Sequence, residues 1–184
     1  MLNKLIAIPF LFVLLSFTGA APQVEYKVSS GSIFFRSEAS LEIIKAQSSE
    51  LKGILVTDKK QFAFIVSIRS FKGFNSPLQQ EHFNENYMES NKFPAASFEG
   101  KIIEDIDFTK DGVYSIRTKG NLSIHGVVQE RIIKSEITVK NTNISIRSNF
   151  TVLLSDHNIP IPKVVHEKLA SEIQVDIKAD LVTK

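Results

Sequence analysis

"QFAFIVSIRS", Gln61 to Ser70, alternates with a period of two: Phe62, Phe64, Val66 and Ile68 fall on one face, Ala63, Ile65 and Ser67 on the other. That period belongs to a β-strand, and apolar groups on both faces belong to a strand covered on both sides. Just upstream, "LKGILVTDKK" supplies a strand over Leu51 to Thr57 and a turn at Asp58, Lys59 and Lys60, so the two stretches read as a hairpin. The alternation recurs outward in both directions. "SGSIFFRSEA" sets Ile33 and Phe35 against Phe34 and Arg36, and "VYSIRTKGNLSI" alternates Tyr114 and Ile116 with polar neighbours. A tight turn at His125-Gly126 leads into the return strand "VVQERIIKSEITVKN". "NISIRSNFTVLL" gathers Ile144, Ile146, Ser148, Phe150 and Val152 on one face, and "SEIQVDIKADL" gathers Ile173, Val175, Ile177 and Ala179. Roughly seven to nine such strands would leave unprotected edges in a flat open sheet, so the pattern predicts an all-β fold closed into an antiparallel barrel. A two-sheet sandwich is the alternative.

Two stretches break the alternation and predict one or two short helices. In "PLQQEHFNENYMESNKFPAASFEG", Pro77 suits a first helical turn, Leu78, His82 and Phe83 form one face, and Tyr87 and Met88 follow. "PKVVHEKLASE" begins at Pro162 and places Val164, Val165, Leu169 and Ala170 at helical spacing.

The chain has 184 residues, enough for one domain with a real core and no metal or disulfide staple. Its start reads as a signal peptide over residues 1–20: Lys4, then the apolar run Leu5 to Phe17, then the small residues Thr18, Gly19, Ala20 and Ala21. The run is shorter than the roughly 20 residues a membrane-spanning helix needs, and Pro9 sits inside it. Cleavage after Ala20 leaves a domain of residues 21–184 with no stable membrane span, exported to the periplasm or secreted. No cysteine is present, so neither disulfides nor a lipid-modified cysteine hold or anchor it. Lys and Arg number 22 against 20 Asp and Glu, scattered rather than clustered, and nothing in that balance calls for nucleic acid.

Catalytic chemistry finds little support. Glu81, His82 and Glu85 suggest a helical zinc site, but such a site needs a second histidine four residues away, and Leu78 and Asn86 occupy those positions. Ser155, Asp156 and His157 are adjacent only in sequence, and "SDHN" reads as a polar loop. Glu104, Asp105 and Asp107 fall at a strand end and turn, where carboxylates are ordinarily solvated. No catalytic residue and no metal ligand are assigned.

What stands out is the supply of apolar rings, 14 Phe and 3 Tyr with no Trp. Inward phenylalanines fill a small barrel, or line a pocket in a wider one, and periodicity leaves both readings open. Two stretches carry a resemblance that bears on the choice. "EHFNENYMESNKFPAASFEGKI", through His82, Phe83, Tyr87, Lys92, Phe93, Pro94 and Phe98, and "GNLSIHGVVQE", through Gly120, Leu122, Ile124, Gly126 and Val127, are similar to the patterns of the YceI-like proteins of bacteria. Tyr87-Met88 replaces a paired-Phe feature, which marks a divergent branch.

The resemblance implies a lipocalin-like barrel, exported and associated with binding polyisoprenoids or isoprenoid quinones. It also implies that the helical insert packs across the barrel mouth. The expected lining residues are Phe62, Phe64, Phe83, Tyr87, Met88, Phe93, Phe98 and Phe150, with Ala63 and Ile65 replacing their neighbours if the other face of that strand is inward. The expected ligand is an isoprenoid, an isoprenoid quinone or another long apolar lipid, with no other cofactor, and a homodimer is left open. The competing readings are an exported lipid-acting hydrolase using His82, and an interaction protein with a solid core.

Overall fold

The computed structural model describes residues 24–183, so the signal segment expected at residues 1–20 lies outside the described residues. Nine strands follow one another: β1 (Glu25–Glu38), β2 (Ile43–Ser48), β3 (Lys52–Val56), β4 (Gln61–Ser67), β5 (Ala95–Ile102), β6 (Gly112–Ile124), β7 (Val127–Lys140), β8 (Asn143–Leu153) and β9 (Glu172–Thr183). All pairings are antiparallel. From β3 onward each strand pairs with the next, and β9 closes on β1 from Tyr26↔Thr183 to Ser37↔Ile173. β2 pairs with Ile33 to Glu38 and β3 with Glu25 to Lys27, so these two share one flank of β1 and the barrel has eight strand positions. Closure rules out the sandwich alternative, and it removes the free edges that an open sheet of this size would expose.

Local sequence fixes the corners. The β6–β7 turn has two residues, His125 and Gly126, both with positive φ (52° and 72°), between the paired Ile124 and Val127. Such a turn matches the right-handed twist of the strands it joins. Asn141 and Thr142 repeat the geometry between β7 and β8, with φ of 49° and 65°.

The alternation settles which residues face inward. Toward the end formed by the β1 start and the β9 finish, Tyr26, Leu55, Ile102, Ile116, Ile137, Val139, Ile144 and Leu181 are buried together and fill the interior. A smaller cluster of Ile68, Met88, Leu154 and Ile159 gathers at the opposite end. Between the two the lumen is not filled.

The insert after β4 begins as expected. Ser76 caps α1 (Pro77–His82) by accepting from the Gln79 N–H at 3.2 Å, and Pro77 occupies the first turn. The chain then widens into a π-helical turn over Phe83–Tyr87. The second expected helix does not form: after Pro162 there is only a 3₁₀ turn over Lys163–Val165. Val164 and Val165 do not share a buried face, because Val164 is 89% exposed while Val165 points to the lumen. With Pro160 and Pro162 just upstream and two β-branched residues in the turn, the segment lacks both packing and helix propensity.

Candidate ligand cavity

The unfilled part of the lumen is a cavity of about 560 Å³, within the ~300–1,000 Å³ typical of small-molecule sites. Its wall comes from β1 (Ile33, Phe35), β4 (Phe64, Val66), β5 (Ala96, Phe98), β6 (Leu122, Ile124), β8 (Phe150, Val152) and β9 (Ile173, Val175, Ile177). These are the inward positions toward one end of each strand. Above them, α1 and the π turn contribute Leu78, His82, Phe83, Tyr87 and Met88, and the segment before β9 contributes Val165 and Leu169. Phe35, Phe64, Phe98, Phe150, Val175 and Ile177 line it and stay only half-buried, part of each side chain bordering the empty lumen.

The insert is held down by aromatic packing. The Phe83 ring stacks on Phe35 at 5.4 Å and 22°, and meets Phe74 at 5.0 Å and Phe71 at 5.9 Å. Polar contacts tie the rim as well. Glu42 accepts from Gln79 Nε2 at 3.0 Å and Asn75 Nδ2 at 3.2 Å, and Ser37 Oγ accepts from the Ala170 N–H at 2.9 Å. The cavity is therefore apolar inside, with Glu42, Gln79, His82 and Lys168 at its opening.

Of the eight residues expected to line it, Phe64, Phe83, Tyr87, Met88, Phe98 and Phe150 do. Phe62 and Phe93 stand elsewhere. Phe62 is 6% exposed and buried deeper, its ring 5.0 Å from Phe98 and 5.9 Å from Phe64, at the edge of a separate void of about 50 Å³. Phe93 does not border the cavity and packs edge-on against His125 at 4.7 Å, with Lys92 Nζ 4.8 Å from its ring centre. Phe35, Phe71, Leu122, Val152 and Ile177 also line the cavity and were not among the expected lining residues; the β8 and β9 alternation placed Val152 and Ile177 on a shared face without giving their depth.

Phe93 shows why the two sequence stretches belong together: the insert and the β6–β7 turn meet there. Gly126 leaves room for the ring, since a Cβ in its place would lie 2.3 Å from Phe93 Cε1 at a φ of 72°. Gly126→Ala is expected to cost about 2 kcal/mol, from left-handed strain together with the clash. A urea melt measures it, and an unchanged midpoint would remove Phe93 as the clamp. Around the same turn, His125 Nε2 lies 2.9 Å from Glu89 Oε2 and Nδ1 lies 3.0 Å from the His157 carbonyl.

"SDHN" is not a polar loop. It forms a 3₁₀ turn over Leu154–His157, and His157 is fully buried, 0% exposed. Its Nδ1 faces the Val127 carbonyl at 3.3 Å, and Nε2 has no hydrogen-bond partner. Burial pushes the His157 pKa below the ordinary 6.5, against the pull of the Val127 and Ile124 carbonyls and Asp156, while Arg131 adds to the lowering. The unfolded chain then binds the extra proton first. The stability from neutral His157 is full above the unfolded value and is lost as pH falls toward the folded one, at no more than about 1.4 kcal/mol per pH unit. His157→Leu should lose less stability than the wild type between about pH 7 and pH 5 in urea unfolding. Equal losses would show that another group carries the dependence.

The remaining chemical candidates are surface groups. His82 is exposed at the rim. Glu104 is held below the usual carboxylate range by the Arg117 N–H and guanidinium, Asp105 by the Lys60 ammonium, and Asp107 by the Thr109 hydroxyl and N–H. Carboxyls lowered this way stay ionised and are poor proton donors. Among the described residues no three His, Cys, Asp or Glu side chains are grouped to hold a metal ion, and no helix is long and apolar enough to cross a membrane.

The sequence matches the YceI-like domain family over residues 23–181. No curated protein matches it in sequence. Among solved structures, a polyisoprenoid binding domain from Saccharophagus degradans, implicated in plant cell wall breakdown, superposes with a TM-score of 0.74 at 11% identity, covering 86% of this chain and 98% of that one. BcnA of Burkholderia cenocepacia follows at 0.68 and 11% identity, covering 82% and 95%. A Campylobacter jejuni YCEI protein aligns at 0.55 and 15% identity, covering 97% and 93%. At these identities the likeness establishes the shared barrel.

Proposed function

The chain belongs to the YceI-like family, and from that membership together with its cavity we propose that it is an exported binding protein that holds an isoprenoid, an isoprenoid quinone or another long apolar lipid inside the barrel. The observation that carries the proposal is the ring of inward but half-buried apolar side chains around about 560 Å³ of lumen. A packed interior does not leave such surface uncovered. A lipid tail covering on the order of 300 Å² of apolar area would gain about 7 kcal/mol, offset in part by its lost freedom.

Phe64, Phe83, Tyr87, Met88, Phe98 and Phe150 are the proposed ligand contacts. Glu42, Gln79, His82 and Lys168 surround the opening, where a polar head would remain in water. The polyisoprenoid named for the Saccharophagus degradans domain is in keeping with this reading. The signal-like residues 1–20 and the resulting domain from Ala21 support export. Neither binding nor delivery needs turnover, so the hydrolase reading has no task for His82, and the open lumen weighs against a solid-core interaction protein.

The test is to express the chain from Ala21, purify it without detergent, and compare native with denaturing mass spectra of the protein and its organic extract. A stoichiometric prenyl or quinone mass released on denaturation supports the proposal. Bare polypeptide that also takes up no added prenyl alcohol would refute it.

A further inference from the structure

The barrel encloses two adjoining voids. The large one and the small one of about 50 Å³ have in common Phe64 and Phe98 on one side of the barrel, from β4 and β5, and Phe150 and Ile177 on the other, from β8 and β9. These four side chains form a partition across the lumen. Phe64 and Phe98 sit directly opposite each other in the β4–β5 register, and the Phe62 ring packs against both. Phe64 is also fixed from the side: Gly53 is its partner on β3, and a Cβ there would lie 2.2 Å from Phe64 Cδ1. The ring lies close over the bare glycine, so it cannot swing toward that wall, and the partition is held by packing.

We infer that Phe64, Phe98, Phe150 and Ile177 are the floor of the ligand site and set the longest apolar chain it accepts. The inference rests on the lipid-binding reading above. From the floor at Ile177 to the rim at Ile173 runs about 13 Å of strand at ~3.3 Å per residue. At the usual barrel tilt that is about 10 Å of depth, roughly half of what the strands enclose. A chain longer than this must fold back under the insert or leave tail in water.

Below the floor the walls would accept hydrocarbon if it could enter. The small void is lined by Leu55, Ile116, Ile133, Ile137 and Ile146. Its hydroxyls are already occupied: Thr118 donates to the Ile133 carbonyl, Ser135 to Ser148, and Ser148 to the Lys134 carbonyl. What bars the way is the rings.

The experiment measures binding of geraniol, geranylgeraniol and a long-chain polyprenol by competition against a fluorescent apolar probe. The chain from Ala21 is compared with Phe98→Ala, Phe98→Leu and Val152→Ala. Val152 lines the cavity and pairs with Ile173 at the rim, away from the floor, so its truncation widens the site without deepening it. For the wild type, affinity should rise with chain length and then stop rising. Each further buried methylene is worth about fourfold, so opening the floor should give the longest chain about tenfold or more over its wild-type affinity. The shortest chain should gain little, and Val152→Ala should move all three alike. Phe98→Leu keeps an apolar side chain and removes only the ring, so the comparison survives if the alanine variant does not fold. Wild-type affinity that keeps climbing to the longest chain, or Phe98 variants that shift all lengths equally, would overturn the floor and leave lipid binding standing. No binding of any alcohol would overturn the lipid-binding reading, and the floor with it.

Discussion

Phe83→Ala should destabilise the protein by about 3 kcal/mol, at the lower end of the range for a phenylalanine truncation because the ring is only partly buried. The loss is expected to be large for a residue outside the sheet because Phe83 joins two parts of the molecule. Its ring stacks on Phe35 of β1 and meets Phe71 and Phe74 in the segment that leads into the insert. Aromatic pairs of this kind add about 0.5–1.5 kcal/mol each beyond the area they bury. Its carbonyl also accepts from the Met88 N–H at 2.9 Å, closing the π turn. Removing the ring should release the insert before the barrel. Hydrogen exchange should quicken over Pro77 to Met88, with β6 and β7 little changed, and affinity for a prenyl alcohol should fall with it. Leu78→Ala is the control, since Leu78 lies in the same insert, on α1, but is 58% exposed. If Phe83→Ala and Leu78→Ala lose the same small amount in urea unfolding, the aromatic cluster does not anchor the insert.

The strands were legible because they obey a rule of one variable. A period of two groups residues by face, and the face shared by Phe62, Phe64, Val66 and Ile68 is the inward one. The His125-Gly126 turn was legible because few residue pairs accept two positive φ values in succession. The helical insert was legible in its start, through Pro77, and not in its end, since a π turn has no distinctive residue pattern. The Lys163–Val165 turn was misread because spacing alone cannot tell whether Val164 has anything to pack against. It has nothing.

The site was legible only in part, for a related reason. Alternation assigns a residue to the inside but not to a depth. Phe62 and Phe64 have the same face and the same chemistry, yet one is buried beneath the cavity and the other borders it. That difference comes from position along a closed barrel, which depends on the register of every neighbouring strand. Phe93 failed differently. It was placed in the lumen by resemblance, whereas it packs on Gly126 and His125 at the β6–β7 corner. Phe71 and Phe74 lie in "SFKGFNSP", which has neither period, so no face could be assigned to them in advance.

Saturating the protein with a prenyl alcohol that fits the cavity should raise its stability by about 2.7 kcal/mol at a free concentration one hundred times the dissociation constant. For a domain of this size that is a rise in melting temperature of roughly 5–10 °C. The argument needs only that the folded barrel binds and the unfolded chain does not. The cavity exists only when β1 and β9 are paired, so the unfolded chain has no comparable site. A rise alone would not place the ligand in the lumen, because an amphiphile can also bind surface residues such as Val128 and Ile132, which are exposed on β7. Ala96→Phe separates the two. Ala96 lines the cavity from β5, and a ring there projects into open lumen, so the variant should fold with little overpacking and with less room for ligand. It should start more stable than, or level with, the wild type and respond weakly to the alcohol. An equal rise in both proteins would move the ligand to the outer surface. No rise in the wild type would mean that its half-buried inner rings are not covered by lipid at all.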